Sequence, residues 1–132
     1  MRILWVEDEL DDNRTYYDTL IRPDTEIRLA STVHEALTLL QSTHFDLIIV
    51  DLNIPIGNGP LMESYPDGDL NGTYVVEYVW RTVASQARII CLTNFWEKVG
   101  DQLKPWNVEI VPKVAYLKEV RRIVYGEPPP SN

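Results

Sequence analysis

The chain has 132 residues, enough for one domain with a sizeable core. Its 20 Asp and Glu outnumber its 12 Lys and Arg, for a formal net charge of −8. That balance excludes phosphate-driven nucleic-acid binding and adsorption to anionic membranes, both of which need a basic face, and one cysteine excludes an internal disulfide framework or a cysteine metal site.

The N-terminal apolar stretch is too short for a signal peptide and runs straight into Glu7-Asp8-Glu9. No segment is long enough to span a bilayer, so the default expectation is a cytoplasmic protein. Arg2 to Val6 reads as a first strand, with Trp5 hinting at a roomy neighbour or a half-open face. A helix follows, with Tyr16, Tyr17, Leu20 and Ile21 on one face, and Pro23-Asp24 ends it. Glu26 to Ala30 reads as a second strand. Thr32-Val33-His34-Glu35 is a capping-box pattern that opens a helix buried through Ala36, Leu37, Leu39 and Leu40. His34 and His44 read as solvated polar residues, since neither has a partner at metal-ligand spacing.

Phe45 to Asp51 runs from polar to apolar and ends on a carboxylate, followed by Leu52-Asn53-Ile54-Pro55. Such a block reads as a strand buried on both faces of a parallel sheet. Residues 57–72 form a turn-rich loop longer than strand-to-helix loops commonly are, and we read it as a surface insertion beside the active edge. Within it, Asp67-Gly68-Asp69-Leu70-Asn71-Gly72 matches the opening of an EF-hand calcium loop. The twelfth position, however, is Tyr78 where a Glu is needed, so a turn that opens a helix is the expected structure. Val75, Val76, Val79, Trp80 and Val83 recur at helical spacing, and Glu77 and Arg81 can pair, which predicts a helix over 73–82. Arg88 to Thr93 reads as a fourth strand that buries Cys91 as a small hydrophobe. Asn94 and Glu97 can cap a helix bearing Trp96, Val99 and Leu103, stopped by Pro105. Val108 to Val111 is a fifth strand, and a last helix from about Val114 to Tyr125 turns Leu117, Val120 and Val124 inward before Gly126. Five β-α units without a repeat predict a doubly wound α/β domain, a parallel sheet with helices on both faces.

Parallel strands bring their carboxyl ends to one edge. Glu7-Asp8, Asp51, Thr93 and Lys113 each follow a predicted strand, so the fold would gather them there. Three crowded carboxylates call for a hard divalent cation, and oxygen ligands suit Mg²⁺. A hydroxyl and an ammonium beside them complete a pocket for a phosphoryl group, with Asp51 as its nucleophile.

Val6-Glu7-Asp8-Glu9, Asp51-Leu52-Asn53-Ile54-Pro55, Thr93 and Lys113 appear in order, each at a strand end, and Thr32 with Glu35-Ala36-Leu37 adds to the pattern. Over roughly Arg2 to Tyr125 the sequence resembles the receiver domain of a two-component response regulator. The resemblance implies a flavodoxin-like sheet of strand order 2-1-3-4-5, a receiver domain over 1–126, and a tail or linker over 127–132. It implies that Asp51 is the phosphoacceptor. Asp8, Asp51 and the Asn53 carbonyl would bind Mg²⁺, with Glu7 acting through a metal-bound water. Thr93 and Lys113 would contact the phosphoryl group. The implied partners are a histidine kinase or phosphotransfer protein and an unidentified downstream protein, with the chain a monomer or weak homodimer and a signalling module rather than an enzyme. Three departures stand out. Asn94 replaces a usual small residue, Pro112 precedes Lys113 instead of a proline following it, and Ile110 stands where an aromatic is frequent. Asn94, Ile110, Asp67 and Asp69 mark a candidate access or partner surface. Two other readings are a degenerate receiver used for docking and a haloacid-dehalogenase-type phosphatase. The second needs an acid where Asn53 stands.

Overall fold

The computed structural model describes residues 1–9, 14–82, 87–93, 103, 106, 108–112, 119 and 121–126, the side chains of 15, 16 and 19 excepted. Five strands, β1 (Arg2–Val6), β2 (Glu26–Ala30), β3 (Leu47–Asp51), β4 (Arg88–Thr93) and β5 (Glu109–Pro112), form one sheet. The order is β2-β1-β3-β4-β5 and every pairing is parallel. Among the described residues, α1 (Arg14–Leu20), α2 (Val33–Ser42) and α3 (Thr73–Thr82) lie in the connections between β1 and β4, with a 3-10 turn at Pro60–Met62. Residues 121–125 are also helical.

Side chains alternate across a strand, and here the alternation divides one run of apolar residues between two cores. Leu4, Val6, Ile48, Val50 and Cys91 pack with α2 and α3 through Val33, Ala36, Leu37, Val75, Val76 and Val79. Ile3, Trp5, Leu47, Ile49, Ile90 and Leu92 pack on the opposite face with Leu20 of α1 and Val124. β3 is buried at all five positions because it lies between these layers. Trp5 is wholly buried and stacks on Tyr17 at 6.3 Å between centroids, so the half-open face expected around it is absent. Arg88, at the opposite end of β4 from the carboxylates, donates to the carbonyls of Ile123 and Val124 and pairs with Glu109, whose hydrogen bond raises the guanidinium pKa.

The capping pattern at Thr32 forms with one change. Thr32 Oγ1 accepts from the Glu35 N–H at 3.1 Å, but the Glu35 carboxylate reaches the N–H of Ser31 rather than that of Thr32. The first two N–H groups of α2, on Val33 and His34, donate to the carbonyls of Pro55 and Ile56 at 3.1 and 3.0 Å. Orphan donors at a helix start need acceptors, and here the segment after β3 supplies them. That seats His34 half-buried against Gly57 and Gly59, where a solvated side chain was expected. His44 is exposed.

Ile21 lies one residue past α1 and is 54 % exposed, and Trp80 is 48 % exposed on α3, so neither joins the core face expected of it. The Glu77–Arg81 pair forms at 2.7 Å. β5 starts one residue later than predicted. Tyr16, Val83, Asn94, Trp96, Glu97, Val99, Pro105, Lys113, Leu117, Val120 and the tail over 127–132 lie outside the described residues or side chains. No described helix is long and apolar enough to cross a membrane.

Burial pushes the Cys91 thiol up from 9.0 to about 12. Between those values the folded chain keeps a proton that the unfolded chain has lost. Stability should therefore fall as pH rises through this window, by roughly 1.4 kcal/mol per unit for this one group. Urea unfolding at stepped pH checks this: Cys91→Ala should flatten the alkaline slope, and an unchanged slope would show that the thiol ionises in place.

Candidate functional site

Among the described residues, the candidate carboxylates and the hydroxyl stand at or just past the ends of strands. The Glu7 N–H donates to the Ala30 carbonyl at 2.9 Å, extending the β1–β2 pairing by one step and holding Glu7 at the sheet edge. Glu7 is fully buried, and its Oε1 accepts from the Glu9 N–H at 3.2 Å. Asp8, one residue on, is exposed. Asp51 closes β3 opposite Leu92 and is 4 % exposed. Its Oδ1 accepts from the Asn53 N–H at 3.0 Å, a local turn that fixes the carboxylate's direction. Thr93 closes β4 opposite Pro112 and is also buried.

Oxygens of Glu7, Asp8 and Asp51 lie within 4.8 Å of one another. An all-oxygen set of three carboxylates this close fits a hard divalent cation, which offsets their mutual repulsion. Asp8, Asp51, Asn53 and Thr93 share a cleft of about 390 Å³ with Asp67 and Asn71. Glu7 joins the cluster without lining the cleft. The expected edge is thus assembled from three strand ends. Asn94 and Lys113 lie outside the described residues, although Thr93 and Pro112, which precede them in the chain, are register partners at this edge. Of the candidate access surface, Asp67 reaches the cleft; Asp69 is exposed beside it, and Ile110 is half-buried against the α2–α3 core.

Asn71 is the site residue the sequence reading missed. It is 3 % exposed, and its side-chain amide donates to the Ile54 carbonyl at 3.1 Å and to Asp67 Oδ1 at 2.8 Å. Its Oδ1 accepts from the Gly68 N–H at 2.8 Å. The turn expected over 67–72 does open α3, with the Thr73 and Tyr74 N–H groups donating to Leu70 and Asn71. The available signal was Gly72 beside an Asn at the end of a long loop that leaves Asp51 and must return to the sheet.

No family model matches the chain. An uncharacterized protein, y4jS, of Sinorhizobium fredii is 28 % identical over 136 aligned residues, covering 89 % of this chain and 33 % of that protein. The chain thus spans about a third of the length of that curated relative. Among solved structures, the response regulator protein TrrA of Thermotoga maritima, in complex with Mg²⁺-BeF, is 26 % identical. It aligns over 95 % of this chain and 96 % of its own, with a TM-score of 0.69. The chain has a response-regulator receiver fold. The phosphorylated cyanobacterial phytochrome response regulator RcpA, 23 % identical over 95 % of this chain and 89 % of its own, shares that fold at a TM-score of 0.69. So does a CheY-like receiver domain of Methylobacillus flagellatus, 16 % identical over 96 % of this chain and 97 % of its own, also at 0.69. In this receiver fold the acidic cluster, Asp51 and Thr93 occupy the carboxyl edge of the sheet.

Proposed function

We propose that the chain is a receiver module that accepts a phosphoryl group on Asp51 and relays its arrival through a changed surface. The observation that carries this reading is the meeting of Glu7, Asp8 and Asp51 within 4.8 Å, in a cleft that Thr93 also lines. An Asp51 oxygen attacks phosphorus, the bond to the donor breaks, and the donor leaves with the electron pair. Asp8, Asp51 and the Asn53 carbonyl would hold Mg²⁺, with Glu7 behind them. Bound there, Mg²⁺ supplies positive charge against the carboxylates and the phosphoryl oxygens. The Thr93 hydroxyl donates to a phosphoryl oxygen, and Lys113 supplies a second positive charge. The donor would be a histidine kinase or phosphotransfer protein, and the site of action the cytoplasm.

A Mg²⁺ titration followed by thermal melting tests the cation site without any donor. Saturating Mg²⁺ should raise the melting temperature of the wild type, and Asp8→Asn should remove most of that rise. Treatment with acetyl phosphate then tests the chemistry. A Mg²⁺-dependent gain of one phosphoryl group in the intact mass is expected. A folded, Mg²⁺-binding protein that gains none from any donor would favour a second reading, a docking module. Ile110 on β5, where an aromatic is frequent in the family, is the feature on that side.

A further inference from the structure

Resting on the receiver reading above, we propose that Asp67 is a donor-selecting residue. It disfavours small anionic phosphodonors and so biases Asp51 toward a phosphorylated protein whose phosphoryl group arrives flanked by cationic side chains. Asp67 lines the same cleft as Asp51, although 16 residues separate them in the chain. It is held there from both sides. The Tyr74 hydroxyl donates to the Pro66 carbonyl at 2.6 Å, and the Gly68 N–H donates to Asn71 Oδ1 at 2.8 Å. The Asp67 carboxylate itself accepts from the amide of Asn71, and Asn71 is buried and anchored on the Ile54 carbonyl, three residues past Asp51. Asp67 is exposed, but where an acid on a free loop swings away from an approaching anion, this one is tied to the backbone that carries the acceptor. Among the described residues lining the cleft, every ionisable side chain is an acid: Asp8, Glu9, Asp51 and Asp67. Of these, Asp67 alone comes from the long loop, and it lies outside the carboxylate cluster that fits a cation. A cation held by the cluster therefore neutralises the cluster's charges first, and the Asp67 charge adds to the repulsion of an incoming anion. A dianionic acyl phosphate seated in the cleft meets that charge. A donor with basic side chains around its phosphoryl group pairs with it instead.

The test is the second-order rate of Asp51 labelling by acetyl phosphate at saturating Mg²⁺, for wild type, Asp67→Asn and Asp69→Asn. In this reaction an Asp51 oxygen bonds to phosphorus and acetate departs with the electrons of the broken P–O bond, with no net change in charge or protons. Asp67→Asn should label about threefold to tenfold faster at low ionic strength, and the gain should shrink toward parity near 1 M salt. Asp69→Asn, which alters an exposed acid outside the cleft, should stay within about twofold of wild type. Without donor, the Mg²⁺ dissociation constant should rise about twofold in Asp67→Asn, because a nearby negative charge is gone. Asp67→Ser repeats the comparison should the amide disturb folding. Equal rates for wild type and Asp67→Asn, an equal gain in Asp69→Asn, or a gain that salt leaves intact would each overturn donor selection while leaving the receiver reading standing. A wild type that binds Mg²⁺ but accepts phosphate from no donor would bring down both.

Discussion

Asp51→Asn should abolish phosphoryl labelling and, in the same protein, raise the melting temperature measured in EDTA. The first effect follows from chemistry, since an amide oxygen is too weak a nucleophile to form the acyl phosphate. The second follows from crowding. Oxygens of Glu7, Asp8 and Asp51 lie within 4.8 Å of one another, and two of the three residues are buried. At an effective dielectric of about 20, a pair of charges at this separation repels by roughly 3.5 kcal/mol before any screening. Exposure of Asp8 and relaxation reduce this, leaving a net gain of about 1–2 kcal/mol when one charge is removed. The Asn side chain still offers an oxygen to the Asn53 N–H that now donates to Asp51 Oδ1 at 3.0 Å, so the local turn survives. For a domain of this size that gain is a rise of several degrees, about 3–5 °C per kcal/mol. Saturating Mg²⁺ should narrow or reverse the difference, because the wild type then gains more from the cation. Labelling that persists in Asp51→Asn would refute the assignment. A lower melting point in EDTA would show that the three acids are not in conflict.

Gly72→Ala should cost about 2–3 kcal/mol and loosen the cation site as well. A methyl group built on Gly72 would lie 2.6 Å from the Asp51 carbonyl oxygen, 2.7 Å from Leu52 Cα and 3.1 Å from Val50 Cγ1. Two of these are backbone atoms of the central strand and its exit, which cannot rotate out of the way. Gly72 is also bonded where it sits, its N–H donating to the Leu52 carbonyl at 3.0 Å and its carbonyl accepting from Val75 at 3.1 Å. The first turn of α3 is thus pressed directly on Asp51 and Leu52. Relief must come from separating α3 from β3, which displaces Asp51. Gly68→Ala is the control: the nearest atom to its added methyl, Asn71 Oδ1, is 3.8 Å away, an ordinary contact. Urea unfolding of both variants, with a Mg²⁺ titration of each, separates the cases. A Gly72 variant no weaker than the Gly68 variant would mean that α3 can lift off without consequence for β3.

Much of the candidate site is legible in the sequence alone. The polar-to-apolar run into Asp51, and the carboxylates or hydroxyl ending the other strands, placed Asp8, Asp51 and Thr93 at one edge by an argument that needs only parallel strands. The cap at Thr32 was readable for a similar reason, since its bonds span three residues. Such features are local or repeat with a fixed period, so their physics lies within a short window of chain.

Other features could be decided only by contacts between distant segments. A helical stripe shows which face is apolar but not how wide a neighbour covers it. Trp80 therefore counted as core and stands exposed, while Ile21 lost its helix one residue too soon. His34 is similar: its surroundings come from Gly57 and Gly59, more than twenty residues away. The loop over 57–72 shows the division most clearly. Its turn residues announce that the chain bends, and its length announces that it travels. Where it returns is set by the close approach of Gly72 to the Asp51 backbone and by the burial of Asn71 against Ile54. Periodicity thus specified the strands, their order of chemistry and the edge on which it gathers. Only packing decided that Asp67 rather than Asp69 lines that edge, because buried Asn71, which holds Asp67, must find partners, and one of them, Ile54, lies far off along the chain.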